Sequence, residues 1–239
     1  MTLAIVLRCA DGLVMATDSR ITGGARGSAD ISEKFLQVNR DVGIMTYGLA
    51  IPGYQGIRNL VEDVRQNTNK YPTVSAITAQ AEKVCNEAFN KYLESQRQSD
   101  GSLPPSLLQD TVGYIIGGYD GNDTARFVIY TCSNQEVFRF QEQYGTWFMA
   151  AQWPLAAWLL SFFEYSGMSI KYALKVCVLL MIMTSTFELT VGGPIHIATV
   201  TIEEGFNLLH ERDVSKLVQD VQPYLLAIKQ SWLEAWSID

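Results

Sequence analysis

Three side chains early in the sequence carry chemistry: Thr2, Asp18 and Lys34. A threonine hydroxyl is a poor nucleophile unless a base stands beside it. With Met1 removed, the freed α-amine of Thr2 lies within reach of its own hydroxyl and can serve as that base. An α-amine has an unperturbed pKa of about 7.7–8.0, which suits general-base work near neutrality. A neighbouring ammonium lowers it further by like-charge repulsion. Lys34, in ISEKFLQV, is the candidate for that ammonium, and Asp18, in ATDSR, for the anion that fixes it. Thr2 to Asp18 spans 16 residues and Asp18 to Lys34 another 16, each suited to one out-and-back excursion of a short antiparallel strand pair. Taken singly, Asp18 also suits a turn cap and Lys34 a solvated edge lysine.

The elements that must position these groups follow from pattern. Ala4 to Arg8 and Leu13 to Ser19 read as strands joined by Asp11-Gly12, a hairpin signal. The Gly-rich ITGGARGSAD reads as a loose hairpin, because no Lys-Ser/Thr pair and helix follow it as a phosphate cradle requires. Phe35 to Val38 and Val42 to Tyr47 flank the turn Asn39-Arg40-Asp41. Ile57, Leu60, Val61 and Val64 then mark one face of a helix. Thr73 is a candidate N-cap for a longer helix that buries Ile77, Ala81, Val84, Ala88, Phe89 and Leu93.

A linker-like loop, Ser95 to Ser106, precedes strands at Thr111 to Gly117, Ala125 to Cys132 and Val137 to Gln141. Helices are expected at Ala150 to Tyr165 and Ser169 to about Glu188, then a strand at His196 to Ile202. A last helix, Asp213 to about Trp236, should be kinked or split by Pro223. Two sets of strands, each followed by a helix pair, predict an α+β fold: a four-layer αββα sandwich, sheets inside and helices outside, as a single domain over residues 1–239.

Composition narrows the function. The 239 residues are 48% hydrophobic and 18% charged, which points to apolar surface buried between subunits. A net charge of −7 with no basic run excludes a nucleic-acid groove. Cys9, Cys85, Cys132 and Cys177 lack metal-ligand spacing, and no secretory leader is evident, so a reducing cytoplasm is expected. His196 and His210 have no ligand partners in sequence; neither a metal nor a cofactor is expected. The apolar runs Trp147 to Phe163 and Val176 to Met183 fall short of the roughly 20 residues of a spanning helix. They read as helices buried between a sheet and a neighbouring subunit, with no membrane involved.

Several stretches together resemble the proteasome-type threonine peptidases, which are N-terminal-nucleophile (Ntn) hydrolases. They are Thr2 after Met1, DGLVMATDSRITGG from Asp11 to Gly24, Lys34 in EKFLQVN, Gly48 in GIMTYGLA, and VGGPIHIATVT over residues 191–201. The resemblance implies that Thr2 is the nucleophile, its α-amine the base, and Asp18 and Lys34 the charged pair that tunes it. It implies that the Gly48 N–H is the oxyanion donor, and that Ile21, Ser32, Leu36, Thr46 and Ala50 form the substrate pocket. Two departures stand out. Ala150-Ala151-Gln152 replaces a Gly-Ser-Gly run, and Glu188-Leu189-Thr190-Val191-Gly192 replaces Asp-x-x-Ser-Gly. Two accessory hydroxyls are thus exchanged for Ala151 and Val191, and an Asp for Glu188. The chain is similar to a divergent bacterial branch outside the standard 20S particle.

The implied activity is that of a cytoplasmic threonine endopeptidase forming an acyl-enzyme on Thr2. It would act on peptides or unfolded proteins inside a homo-oligomer of rings or stacked rings. The resemblance leaves an ATPase partner open. Two alternatives accompany it: an amide hydrolase or transpeptidase of the same fold, and a structural ring subunit that has lost activity.

Overall fold

The computed structural model describes residues 2–22, 28–29, 34–104, 112–121, 126–133, 138–150, 154–161 and 167–236. Two five-stranded antiparallel sheets form its centre. The first contains β1 (Ala4–Arg8), β2 (Leu13–Asp18), β10 (Trp147–Ala150), β11 (Ile195–Thr201) and β12 (Gly205–Leu208), in the order β10-β1-β2-β11-β12. The second runs in sequence order through β5 (Phe35–Asn39), β6 (Val42–Gly48), β7 (Val112–Asp120), β8 (Arg126–Ser133) and β9 (Gln141–Glu142). Short strands β3 (Ile21–Thr22) and β4 (Ser28–Ala29) pair outside both sheets, within the Gly-rich stretch.

Strand alternation sorts side chains into three cores. Ala4, Val6, Leu13, Met15, Ala198 and Val200 face Phe35, Met45, Ile115 and Ile129 of the other sheet. Leu3, Ile5, Leu7, Val14, Ala16 and Ile197 point the opposite way, against α4 (Ile170–Phe187) and α5 (Glu211–Trp236), with α3 (Pro154–Ser161) beside α4. Ile44, Ile116 and Val128 face α1 (Ala50–Gln66) and α2 (Val74–Gln96). The result is the αββα sandwich, each sheet apolar on both faces because each is covered on both.

The helix starts show local causes. Thr73 accepts a hydrogen bond from the Ala76 N–H at 3.0 Å, and the Ser169 hydroxyl accepts from Tyr172, the usual N-cap geometry. Asp11, in the β1–β2 hairpin turn, also accepts from the Ile170 N–H at 2.9 Å and so ties that turn to the start of α4. One helix among the described residues, Ile170–Phe187, is long and apolar enough to cross a membrane by length and composition. In this fold it packs against β2 and β11.

Three expectations change and a fourth narrows. Residues Trp147–Ala150 are strand rather than the start of a helix, because they complete the free edge of β1 with Leu7 opposite Trp147 and Ala4 opposite Ala150. The helix begins afterwards, with Pro154 at its first position, where no N–H is needed. Of the strand read at Val137 to Gln141, the described part is irregular until β9 begins at Gln141. Residues Gly205–Leu208, for which the sequence pattern offers no strand, form β12 and pair with β11, Leu208 opposite Ala198. Pro223 lies inside α5 without ending it. The carbonyl it frees belongs to Gln219, an exposed residue, and so can be hydrated.

Candidate active site

β1 and β2 end side by side, and that pairing delivers the first two groups. Ala4 opposes Thr17, and the Asp18 N–H donates to the Leu3 carbonyl at 3.2 Å. The Asp18 carboxylate turns back over the same junction: Oδ1 accepts from the Leu3 N–H at 3.0 Å. Lys34 arrives from the second sheet. It immediately precedes β5, and its carbonyl accepts from the Thr46 N–H at 2.9 Å, which pins its backbone to β6.

The Lys34 ammonium donates to Thr2 Oγ1 at 3.0 Å, to Asp18 Oδ1 at 3.2 Å and to the Arg20 carbonyl at 2.5 Å. All three side chains are buried, Thr2 at 7%, Asp18 at 1% and Lys34 at 4% exposure. Those figures matter because a buried charge is tolerated only when paired and hydrogen-bonded. Burial pushes the Asp18 carboxyl above its ordinary pKa, while the Lys34 ammonium and the N–H groups of Gly192 and Leu3 pull it back.

The fourth component had no side chain to announce it. Gly192 donates its N–H to Asp18 Oδ2 at 3.1 Å, and its carbonyl accepts from the Arg20 N–H at 3.0 Å. The Arg20 guanidinium closes the clamp on the Leu189 carbonyl at 2.9 Å. A Cβ at position 192 would stand 2.7 Å from the Arg20 guanidinium carbon. The Gly-Gly-Pro sequence ahead of β11, within the VGGPIHIATVT stretch noted above, is the sequence signal for this loop.

The two departures in that loop now have places. Val191 packs in the outer core. Glu188 holds a local turn, its Oε1 accepting from the Thr190 hydroxyl at 2.6 Å and the Thr190 N–H at 3.1 Å. Those bonds keep its carboxyl below the usual range. Ala151 lies outside the described residues.

The remaining predicted residues are placed less uniformly. Gly48 closes β6 with φ 86°, a left-handed conformation that suits glycine. The period of two puts its N–H on the same strand edge as that of Thr46, the edge facing Lys34. Thr46 is buried, its hydroxyl donating to the Gly113 carbonyl at 3.0 Å. Leu36 is partly buried against the core under α1 and α2, and Ala50 opens α1. Ile21 lies in β3, its side chain outside the description, and Ser32 lies outside the described residues. Among the described residues no group of three His, Cys, Asp or Glu side chains is placed to hold a metal ion.

A hydroxyl that accepts from a buried ammonium is polarised toward the alkoxide. The carboxylate behind that ammonium, held by two backbone N–H groups, fixes the ammonium's position. Such an arrangement suits nucleophilic attack on a carbonyl carbon.

No protein-family model and no curated protein matches the chain. Solved structures match it over nearly its whole length. The Anbu complex from Pseudomonas aeruginosa, described as a helical assembly, superposes with a TM-score of 0.77 at 17% identity, covering 98% of this chain and 96% of that one. Anbu from Yersinia bercovieri, described as an ancestral β-subunit, gives 0.71 at 12% identity, with 95% and 97% covered. A Gly-1 mutant of Anbu from Hyphomicrobium sp. strain MC1 gives 0.71 at 16% identity, with 100% and 98% covered. The chain therefore shares the fold of these proteins, the Ntn-hydrolase αββα sandwich that the resemblance implied.

Proposed function

We propose that this protein is an N-terminal-nucleophile hydrolase that opens amide bonds through an ester on Thr2, working as a homo-oligomer. The observation that carries the reading is the Lys34 ammonium hydrogen-bonded to Thr2 Oγ1 while Asp18 and the Arg20 carbonyl hold it from behind. In the proposed cycle the Thr2 amine, freed by loss of Met1, takes the hydroxyl proton as Oγ1 attacks the carbonyl carbon. The Gly48 N–H steadies the oxyanion, and the amine passes the proton to the leaving nitrogen. Water then opens the ester and restores the hydroxyl.

Peptide-bond cleavage by a threonine endopeptidase is the finer form of this reading, with cytoplasmic peptides or unfolded proteins as substrates. Association is supported by the assembly described for the Pseudomonas aeruginosa relative. It is also supported by exposed Trp158, Tyr172, Tyr224 and Leu226 on the helices α3 to α5. A second reading, a ring subunit without activity, is favoured by Val191, an apolar core residue where the resembling peptidases carry a hydroxyl.

The test compares two preparations, one with Thr2 shown by intact mass to be the first residue and one with residues retained ahead of it. Turnover of a fluorogenic peptide library and covalent labelling of Thr2 are expected in the first alone. Equal turnover in the blocked form overturns the nucleophile assignment. No labelling of an exposed Thr2 leaves the inactive-subunit reading.

A further inference from the structure

His196 belongs to no part of the cycle above, yet the fold aims it at the same place. Along β11, Ala198 and Val200 lie in the core between the sheets, while Ile197 faces the outer helices. The period of two therefore turns His196 inward. Its cross-strand neighbour is Thr17 on β2, which opposes Ala4 on β1. Ala4 is inward and Leu3 outward, so the same alternation places Thr2 on the inner face with His196. Its chain neighbour Ile195 opposes Asp18, whose carboxylate accepts from Lys34, and His196 is partly exposed, which gives it access to water. The charged groups acting on it from the packed elements are Lys34, ahead of β5, and Asp18, at the end of β2. Burial and then the Lys34 charge lower the imidazole pKa, and Asp18 opposes them.

We propose, on the reading that Thr2 is the nucleophile, that His196 is a positioning residue whose neutral form lets the Lys34 ammonium rest on Thr2 Oγ1, and whose protonation drives that ammonium off the hydroxyl. The displaced ammonium has somewhere to go, because Asp18 Oδ1 and the Arg20 carbonyl already accept from it. A second cation on the inner face repels the first with little solvent between them. Turnover then fails in acid for two reasons: protonation of the Thr2 amine and protonation of His196.

The test pairs kcat/KM–pH profiles of the wild type and His196→Gln with an NMR titration of the imidazole. Glutamine keeps a neutral polar side chain, and His196→Asn serves if the first variant does not fold. The wild-type acid limb should fall with two protons and that of the variant with one. At pH 5 the variant should retain more of its own maximal rate, by up to about thirtyfold for an imidazole at or below its ordinary 6.5. Independently of activity, the His196 titration midpoint, assigned with His210→Gln, should rise in Lys34→Met because a like charge is gone. Superimposable rate profiles, or a midpoint that Lys34→Met leaves in place, overturn the proposal. If the protein shows no amide turnover, the nucleophile reading fails by itself, and the midpoint still decides whether imidazole and ammonium are coupled.

Discussion

Replacing Lys34 with methionine keeps most of the buried stem and removes the ammonium with its donations to Thr2, Asp18 and Arg20. Asp18, 1% exposed, is then left as a buried carboxylate held by two backbone N–H groups alone. Breaking a buried pair in this way costs about 3–5 kcal/mol. For a chain of this length each kcal/mol moves Tm by about 2–4 °C, so the melting point should drop by roughly 6–20 °C. The loss should depend on pH. Burial already raises the Asp18 carboxyl, and Lys34 is the largest influence opposing that rise, so the variant's carboxyl moves higher still. A group whose folded pKa exceeds its unfolded value, about 3.9 for Asp, contributes fully below that value and loses its contribution as pH rises through the folded one. The deficit of Lys34→Met should therefore be smaller at pH 5 than at pH 8. Turnover should fall by about 10²–10³-fold with the donor to Oγ1 gone. Thermal melts at both pH values, run beside peptide turnover, read all of this. A melting point lowered by under about 2 °C at pH 8, or near-normal turnover, would refute the reasoning.

Other consequences are simpler to measure. Burial pushes the Cys9 and Cys85 thiols up to about 12 and raises Cys132 and Cys177 as well. A maleimide at pH 8 should leave the folded protein unlabelled and modify all four cysteines on unfolding; rapid labelling of the native form contradicts this. Thr73→Ala removes the bond to the Ala76 N–H and should cost about 1 kcal/mol, or about 2–4 °C in Tm, by the same melts. Leu36 and Ala50 are uncharged, and Thr46 has its hydroxyl engaged, so a peptide panel should show preference for apolar or small uncharged residues on the acyl side of the cut. A preference for Arg or Asp there counts against these residues as the pocket.

What the sequence made legible was local. Asp11-Gly12 and Asn39-Arg40-Asp41 mark hairpins whose strands lie a few residues away, and Thr73 and Ser169 carry their caps within one helical turn. β10 and β12 escaped notice for the opposite reason. WFMA and GFNL are four residues each, and only their partners β1 and β11 decide that they are strands. The candidate site divides the same way. Thr2, Asp18 and Lys34 carry signals in residue type and spacing. The Gly192 N–H and the Arg20 carbonyl are backbone groups, which the identity of a residue does not advertise. His196 gained its place only once the parity of β11 was known.

The position of β1 has a kinetic consequence. This strand is interior to its sheet, with β10 on one side and β2 on the other. The Gly192–Asp18 bond joins residues 174 positions apart. Contacts of such separation form slowly, because the chain loses loop entropy before they stabilise anything. A nascent chain that ends before residue 192 can fold the β5–β8 meander from its own neighbours, yet it has no clamp for Asp18 and no settled seat for the Lys34 ammonium. Pulse-labelled hydrogen exchange should therefore find the Leu3 and Gly192 amides protected after those of β6 and β7. On the proposed reading, Thr2 is synthesised at the outset and its surroundings are completed among the last, so an incomplete copy would carry Thr2 without its reactivity.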